Sequence, residues 1–308
     1  MKIGIIIVTY NGEPYIESLF ASLKNETIEP SIVVVDNDSS DDTLKKIRTY
    51  SSDFKDIKLI ELDRNTGFGY ANNIGIKYLL KQGMDYISLV NQDISYKSDV
   101  ISKLCVLHKS NRLDGIISPF HLNGQGDNFD LMFYKNFEER IKDELLRKLI
   151  INESKGNLYI EVKNVNAAFW VLNSSLFNEV GLFSKLFRHY GEDNDFVNRL
   201  KYLKKKVYLA NSLIYHNRKQ IDFGEIQNFK TYLNKRKIFY LVKLLNINYS
   251  ISRSFYLVLK QYFVNTLRRV VRFQFSHAFA NSLALITNIW SLRSIRAERK
   301  MNIKQLRN

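Results

Sequence analysis

Three acidic clusters and one histidine have spacings that suit chemistry. Asp36 opens Asp36-Asn37-Asp38-Ser39-Ser40-Asp41-Asp42-Thr43, whose side chains can accept from a nucleobase N–H or a ribose hydroxyl. The competing role for that stretch is to cap a helix starting near Asp41, through Ser39 or Ser40. Asn91-Gln92-Asp93 offers hard oxygen donors, and one carboxylate is enough to hold Mg²⁺ or Mn²⁺ when phosphate oxygens complete the shell; otherwise the segment is a turn. The acids of Gly191-Glu192-Asp193-Asn194-Asp195 either complement a helix N-terminus or supply a general base that stays ionised near neutral pH. His216, with Arg218 and Lys219 just after it, suits a metal and diphosphate site, against the alternative of a structural histidine.

Hydrophobic periodicity supplies the elements that must position these groups. Residues 3–8 and 32–35 are β-branched runs without a polar break, the pattern of parallel strands covered on both faces. Between them Tyr15, Leu19, Phe20 and Leu23 recur at helical spacing over 13–24. A helix near 41–50, a strand at 57–62, a helix near 70–81 and a strand at 86–90 continue the alternation. It predicts an α/β fold with right-handed crossovers. Ligands of such sheets bind beyond the carboxyl ends of the strands, which selects Thr9-Tyr10-Asn11, Asp36-Asn37-Asp38 and Asn91-Gln92-Asp93.

Further along, a helix over 137–151 between polar loops shows no link to the site. An apolar run at 165–172, helices at 174–180 and 193–204, and a strand at 207–209 follow. Residues 65–73, Asn-Thr-Gly-Phe-Gly-Tyr-Ala-Asn-Asn, open a helix with two glycines. Asn72 stands where a dinucleotide loop needs its third glycine, which argues against a Rossmann cofactor. Close backbone approach to a nucleotide or sugar, or plain strand-to-helix turn chemistry, remain.

Apolar content of 45% and charged content of 25% exclude a disordered chain. Cys105 is the single cysteine, so neither an intrachain disulfide nor a cysteine-based zinc site is available, and a reducing compartment fits. The run at 3–8 is too short for a signal-peptide core and lacks a small-residue cleavage site, so it reads as a first strand and the expected location is cytoplasmic.

The net charge of +15 is placed unevenly. From Lys201 onward there are 22 Lys and Arg against Asp222, Glu225 and Glu298, whereas the first 200 residues carry a net −4. From Phe229 the chain reads as basic, aromatic helices. Residues 273–292 hold no Lys, Arg, Asp or Glu, but Gln274, His277, Asn281, Asn288 and Ser291 form a polar stripe opposite Phe279, Leu283, Ile286, Ile289 and Trp290. That predicts an amphipathic helix rather than a membrane span. Flanked by Arg268, Arg269, Arg272, Arg293, Arg296 and Arg299, it can lie on an anionic membrane surface at the inner face. RNA binding through basic and aromatic residues, or packing within a helical subdomain or homo-oligomer, are the alternatives; nucleic acid is not the expected partner. The expected division is 1–224 and 225–308.

Taken in order, Ile5-Ile6-Ile7-Val8-Thr9-Tyr10-Asn11, Val33-Val34-Val35-Asp36-Asn37, the 65–73 segment, Asn91-Gln92-Asp93, Phe177-Asn178-Glu179-Val180-Gly181-Leu182-Phe183 and Tyr190 to Asp195, ending at His216, resemble the family 2 glycosyltransferases of the GT-A fold, closest to their rhamnosyltransferase-like branch. The resemblance covers about residues 3–217. It implies a GT-A domain, a Rossmann-like and mostly parallel sheet with flanking helices, followed by the basic helical region. It implies an inverting, metal-dependent transferase that uses Mg²⁺ or Mn²⁺, a nucleotide-sugar donor such as dTDP-rhamnose or a UDP-sugar, and a glycan or lipid-linked acceptor in surface polysaccharide synthesis. Thr9, Asp36 and Asn37 would face the nucleoside, with Tyr10, Asn11, Asn65, Gly67, Phe68, Asn72, Asn91, Gln92 and Arg218 completing the donor site. Asp93 would hold the metal with His216 near it, Asp193 would be the catalytic base with Glu192 beside it, and Ala167, Ala168, Trp170 and Asp195 would line the sugar and acceptor pocket. Asn91 departs from the fuller metal motif, which has Asp there. The rival class is a basic nucleic-acid-binding or scaffold protein on the same fold, and a nucleotidyltransferase is a second enzymatic alternative.

Overall fold

The side chains of Ile5-Ile6-Ile7 have no polar atom with which to meet water, and the run forms the fully buried centre of a sheet. The computed structural model describes residues 1–135, 159–218 and 228–307. Its elements are β1 (Ile3–Thr9), α1 (Glu13–Leu23), β2 (Ser31–Asp36), α2 (Thr43–Ser51), β3 (Ile57–Glu61), α3 (Phe68–Lys81), β4 (Tyr86–Asn91), β5 (Ile94–Ser95), α4 (Val100–Ser110), β6 (Gly115–Asn123), α5 (Leu131–Lys135), β7 (Tyr159–Val162), β8 (Phe169–Asn173), α6 (Ser175–Val180), α7 (Glu192–Tyr202), β9 (Lys206–His216), α8 (Phe229–Leu245), α9 (Ile251–Val271), α10 (Phe275–Trp290) and α11 (Leu292–Gln305). The helix expected over 137–151, Lys219 and the expected boundary at 224 lie outside the described residues.

Strand order is β3-β2-β1-β4-β8-β6-β9-β5, with β7 on β9. The pairings β1–β2, β1–β4, β2–β3 and β6–β9 are parallel, and β4–β8, β5–β9, β6–β8 and β7–β9 are antiparallel. The sheet is therefore mixed rather than mostly parallel. The β-α-β reading holds through β4, where buried, uninterrupted runs announce parallel strands. It could not foresee β8 inserting antiparallel between β4 and β6, because a buried run looks alike in either direction. Residues 165–168 precede β8 as loop, and the strand expected at 207–209 runs the full length of β9.

The chain divides into two compact units, Met1–Asn178 with Lys205–Ile221, and Glu179–Lys204 with Asp222–Asn308. The first packs Ile5, Ile7, Leu19, Phe20, Val34, Leu104 and Phe169 into one core. The second is centred on Tyr240, Leu244, Val258, Ala284 and Ile295. Residues 179–204 thus cluster with the later helices, although the sequence groups them with the sheet.

In that second unit the amphipathic period of α10 holds, but its orientation is the reverse of the usual one. His277, Asn281 and Asn288 are buried together with Ala278, Ala280 and Ala284, while Phe279, Ile286, Ile289 and Trp290 are exposed. The buried amides are satisfied: Asn281 Oδ1 accepts from Tyr240 Oη at 2.6 Å and Arg236 Nε at 3.1 Å, and its Nδ2 donates to Thr266 Oγ1 at 2.9 Å. Small alanines beside them let neighbouring helices close in, so the polar stripe becomes the interior. Arg299 is likewise internal, donating to the carbonyls of Leu244, Asn246 and Tyr249 at 2.6–2.8 Å. Among the described residues no helix is long and apolar enough to cross a membrane.

Helix α3 lies close to β1 because Gly75 has no side chain: a Cβ there would stand 2.7 Å from Ile6 Cγ2. Helix propensity alone would make Gly75→Ala stabilising by about 0.8–1 kcal/mol, but overpacking costs ~1–3 kcal/mol. Gly75→Ala should therefore lower the denaturation midpoint in urea; an unchanged or higher midpoint would show that the α3–β1 contact is looser than described.

Candidate functional site

Parallel register brings the first group of residues to one edge. Thr9 pairs with Asp36 across β1–β2, and Val8 with Asn91 across β1–β4, so the carboxyl ends of three strands are level. Asp36 is 1% exposed. Its Oδ1 accepts from Thr9 Oγ1 at 2.7 Å and Ser39 Oγ at 2.6 Å, and its Oδ2 from Ser39 N at 2.9 Å. It does not cap α2, whose N-cap residue is Asp42; it folds the loop after β2 back onto β1.

Asn37, also buried, ties that loop to the next one. Its Oδ1 accepts from Thr66 N at 2.8 Å and Thr66 Oγ1 at 3.0 Å, and its Nδ2 donates to Asn65 Oδ1 at 3.1 Å, which also receives Gly67 N at 3.0 Å. Asn72 Nδ2 donates to Phe68 O at 2.9 Å within α3. On the other flank Gln92 imitates a strand neighbour for Tyr10, accepting from its N–H at 2.9 Å and donating to its carbonyl at 3.1 Å. Asn11, in the left-handed region at φ 46°, accepts from Ser40 N at 2.8 Å. The interlocked amides leave the Tyr10 ring exposed at the edge.

The second group is built by β9. Ile94 pairs with His216 across β5–β9 and Asn123 with His216 across β6–β9. His216 Nε2 lies 3.3 Å from Asp93 Oδ2 and Nδ1 lies 3.8 Å from Asp130 Oδ2, yet neither nitrogen makes a hydrogen bond. Asp93 Oδ1 and Asn91 Oδ1 are also buried without a hydrogen-bond partner. These orphaned atoms come together at the carboxyl ends of β4 and β9, where a ligand could complete their bonding. The donors are two hard oxygens and an imidazole, which fits a divalent cation that takes its remaining ligands from phosphate and water. Among the described residues no three His, Cys, Asp or Glu side chains gather around one point, so the protein would supply the minority of the shell.

Asp130 and His121 carried no sequence signal as site residues. Asp130 is buried and makes a two-point ion pair with Arg218, through Nε–Oδ2 at 2.9 Å and Nη2–Oδ1, and also accepts from Phe133 N at 2.9 Å. Burial pushes its pKa up, but the Arg218 bonds outweigh this and leave it below the usual carboxylate range. Arg218 is thereby oriented by a carboxylate 88 residues away in sequence. His121 stacks on Phe133 at 4.6 Å, and burial, reinforced by His216, holds its pKa well below the ordinary imidazole value.

Ala167 and Ala168 are 4% exposed, and Trp170 is fully buried within β8. Asn91 N donates to Ala168 O at 2.9 Å, which brings the small-residue stretch against the end of β4.

The third group opens α7 in the second unit. Gly191 sits at φ 93°, and a Cβ there would lie 2.8 Å from Ile238 Cγ2 and 2.9 Å from Phe187 Cε1, so only glycine makes this entry turn. Asp193 is partly exposed and its Oδ1 accepts from Asn194 N at 2.7 Å. Asp195 points inward instead, 1% exposed and paired with Arg199 at 3.0 Å, while Arg199 Nη1 donates to Val180 O at 2.7 Å.

Comparison with known proteins identifies the family and the fold. The sequence profile of Glycosyl transferase family 2 matches residues 4–180. The chain is 27% identical over 203 residues to the low-salt glycan biosynthesis hexosyltransferase Agl10 of Haloferax volcanii, covering 65% of this chain and 61% of that one. It is 35% identical over 112 residues to the dTDP-rhamnosyl transferase RfbF of Shigella flexneri, covering 36% of each. These matches span only part of the relatives' own lengths. Among solved structures, the mannosyltransferase PcManGT from Pyrobaculum calidifontis, in complex with GDP-Man and Mn²⁺, aligns with a TM-score of 0.57 at 14% identity, covering 99% of this chain and 85% of that one. The fold is thus GT-A, a mixed α/β sheet with flanking helices followed by C-terminal helices.

Glu192 gives a test of the third group that needs no substrate. Its carboxyl is pushed up to about 7, first by burial and then by the Asp193 charge. The folded state therefore keeps a proton that the unfolded chain loses near 4.5, so stability from this group is full below about 4.5 and is lost as pH rises through about 7. Thermal unfolding of Glu192→Gln against the parent should show the variant gaining relative stability across that window. Parallel pH profiles would contradict the buried placement of Glu192.

Proposed function

The chain belongs to glycosyl transferase family 2, and from that membership we propose that it is a divalent-metal-dependent, inverting hexosyltransferase acting on a nucleotide-sugar donor and a glycan or lipid-linked acceptor of cell-surface polysaccharide. The observation that carries the reading is the group of unsatisfied donors at Asn91, Asp93 and His216 on the same sheet edge as Asp36. The likeness to the dTDP-rhamnosyl transferase RfbF favours dTDP-rhamnose as donor, with a UDP-sugar the second reading.

In the proposed mechanism the exposed Tyr10 ring and the loops held by Asp36 and Asn37 receive the nucleoside. Asp93 and His216 would hold the cation, Mg²⁺ or Mn²⁺, which when bound supplies positive charge for the diphosphate. Arg218, fixed by Asp130, adds a second positive group for the departing phosphate oxygens. Asp193 accepts the proton of the acceptor hydroxyl as that oxygen bonds to the anomeric carbon and the bond to the diphosphate breaks, in one in-line displacement that inverts the centre. Glu192, protonated up to about pH 7, leaves Asp193 as the base.

Asp193→Asn should lower the transfer rate by roughly 10²–10⁴-fold while nucleotide-sugar binding, followed by thermal shift with Mn²⁺, stays at the parental level. Loss of both would instead make Asp193 a binding or folding residue. Absence of any Mn²⁺- or Mg²⁺-dependent donor turnover in the parent would favour a non-catalytic binding protein, and release of pyrophosphate a nucleotidyltransferase.

A further inference from the structure

Within the second unit, α9 and α10 form a hairpin whose tip breaks two rules of soluble proteins at once. Helix α9 ends in a Schellman arrangement, with Phe273 N donating to Val270 O at 2.9 Å and Gln274 N to Arg269 O at 2.8 Å. The residue at the turn of that motif takes the left-handed conformation and is normally glycine. Here it is Phe273, at φ 55°, an uncommon and strained choice for a bulky side chain. Packing repays little of the strain, since Phe273 is 82% exposed and its ring meets, edge-on at 6.3 Å, that of Phe275, itself 60% exposed. On the same two helices Leu267, Val271, Phe275 and Phe279 are each 60–68% exposed, with Phe275 against Phe273 and Phe279 stacked on Phe229; large exposed apolar side chains in this number mark an interaction surface.

We propose that this tip is a membrane anchor that inserts Phe273 and its apolar neighbours shallowly into an anionic lipid surface. The charge pattern selects that occupant. Arg268 and Arg272 flank the tip and are exposed, and Arg269 is held nearby over the Tyr232 ring. From Phe229 to the end the sequence has sixteen Lys and Arg and one acid, Glu298. A second copy meeting the same patch across a two-fold axis would set these arginines against each other with no carboxylate between them. Phe273, Phe275 and Phe279 could stack on bases, but Leu267, Val270 and Val271 have no π-face for one, whereas acyl chains suit all six. A lipid surface satisfies both halves of the pattern: acyl chains take the aliphatic and aromatic side chains, and anionic headgroups take the arginines. With no spanning helix among the described residues, the association is peripheral, and it stands whether or not the proposed transferase activity does.

The strained residue allows a test with opposed signs. Phe273→Gly should leave the melting temperature equal or raise it by roughly 1–3 °C, because glycine suits the turn. It should also reduce binding to phosphatidylglycerol vesicles at least tenfold in a co-sedimentation assay with the full chain. Arg268→Gln with Arg272→Gln should cut binding to those vesicles by about tenfold, with little effect on the weaker binding to phosphatidylcholine. A lower melting temperature in Phe273→Gly would make Phe273 a packing residue and overturn the proposal. So would parental vesicle binding in that variant, equal affinity of the parent for neutral and anionic vesicles, or a dimer in sedimentation velocity that Phe273→Gly dissolves.

Discussion

The constraint on which the candidate site depends is that His216, a nearly buried imidazole, has to lie between two carboxylates it does not hydrogen-bond. Strand β9 carries it there, and β5 and β6 hold β9 on either side. Asp93 comes from the turn that follows β4, and Asp130 from the segment that follows β6. A polar group withdrawn from water without a partner costs on the order of 1–3 kcal/mol, so the fold must have a reason to keep Asn91, Asp93 and His216 in that state. A ligand that arrives carrying its own charge is such a reason. The same strands then explain the position of Arg218, two residues past His216, where Asp130 can fix its plane.

The first loops follow another logic. Asp36 and Asn37 are consumed by bonds to Thr9, Ser39, Asn65 and Thr66, so they act first as framework. Their polarity and their place after a strand suggested ligand contact, and both features are equally what a buried tie between loops requires. In the proposed donor site, Asp36 and Asn37 would therefore set the shape of the edge, and the exposed Tyr10 ring would be what it presents.

Legibility of the sequence followed the range of the interactions. Strands β1 to β4 and helices α1 to α3 were readable because each is written in a local period, and the strand-end rule brought Thr9, Asp36 and Asn91 together correctly. Strand β6 and helix α4 went unread, and Asp130 with them. Its role exists only because β6 pairs with β9 nearly a hundred residues later, and no local pattern marks that. Helix α10 shows the converse. Its period was legible, but a period gives two faces without saying which is inside. Asn281 is internal because Tyr240, Arg236 and Thr266, from two other helices, complete its hydrogen bonds, and the small residues Ala278 and Ala284 on that face were the available sign.

That inversion also explains why the two ends of the chain differ so much in charge. A helical unit whose polar residues are spent on its own interior must expose apolar residues, and such a surface aggregates unless something opposes self-contact. Sixteen cations against one acid do so by repulsion between copies. The proposed attraction to an anionic surface would draw on the same excess of charge. Phe273 fits this account better than any account based on folding. A strained residue is retained where the gain lies outside the chain's own stability, and the surrounding arginines indicate the sign of the charge it meets.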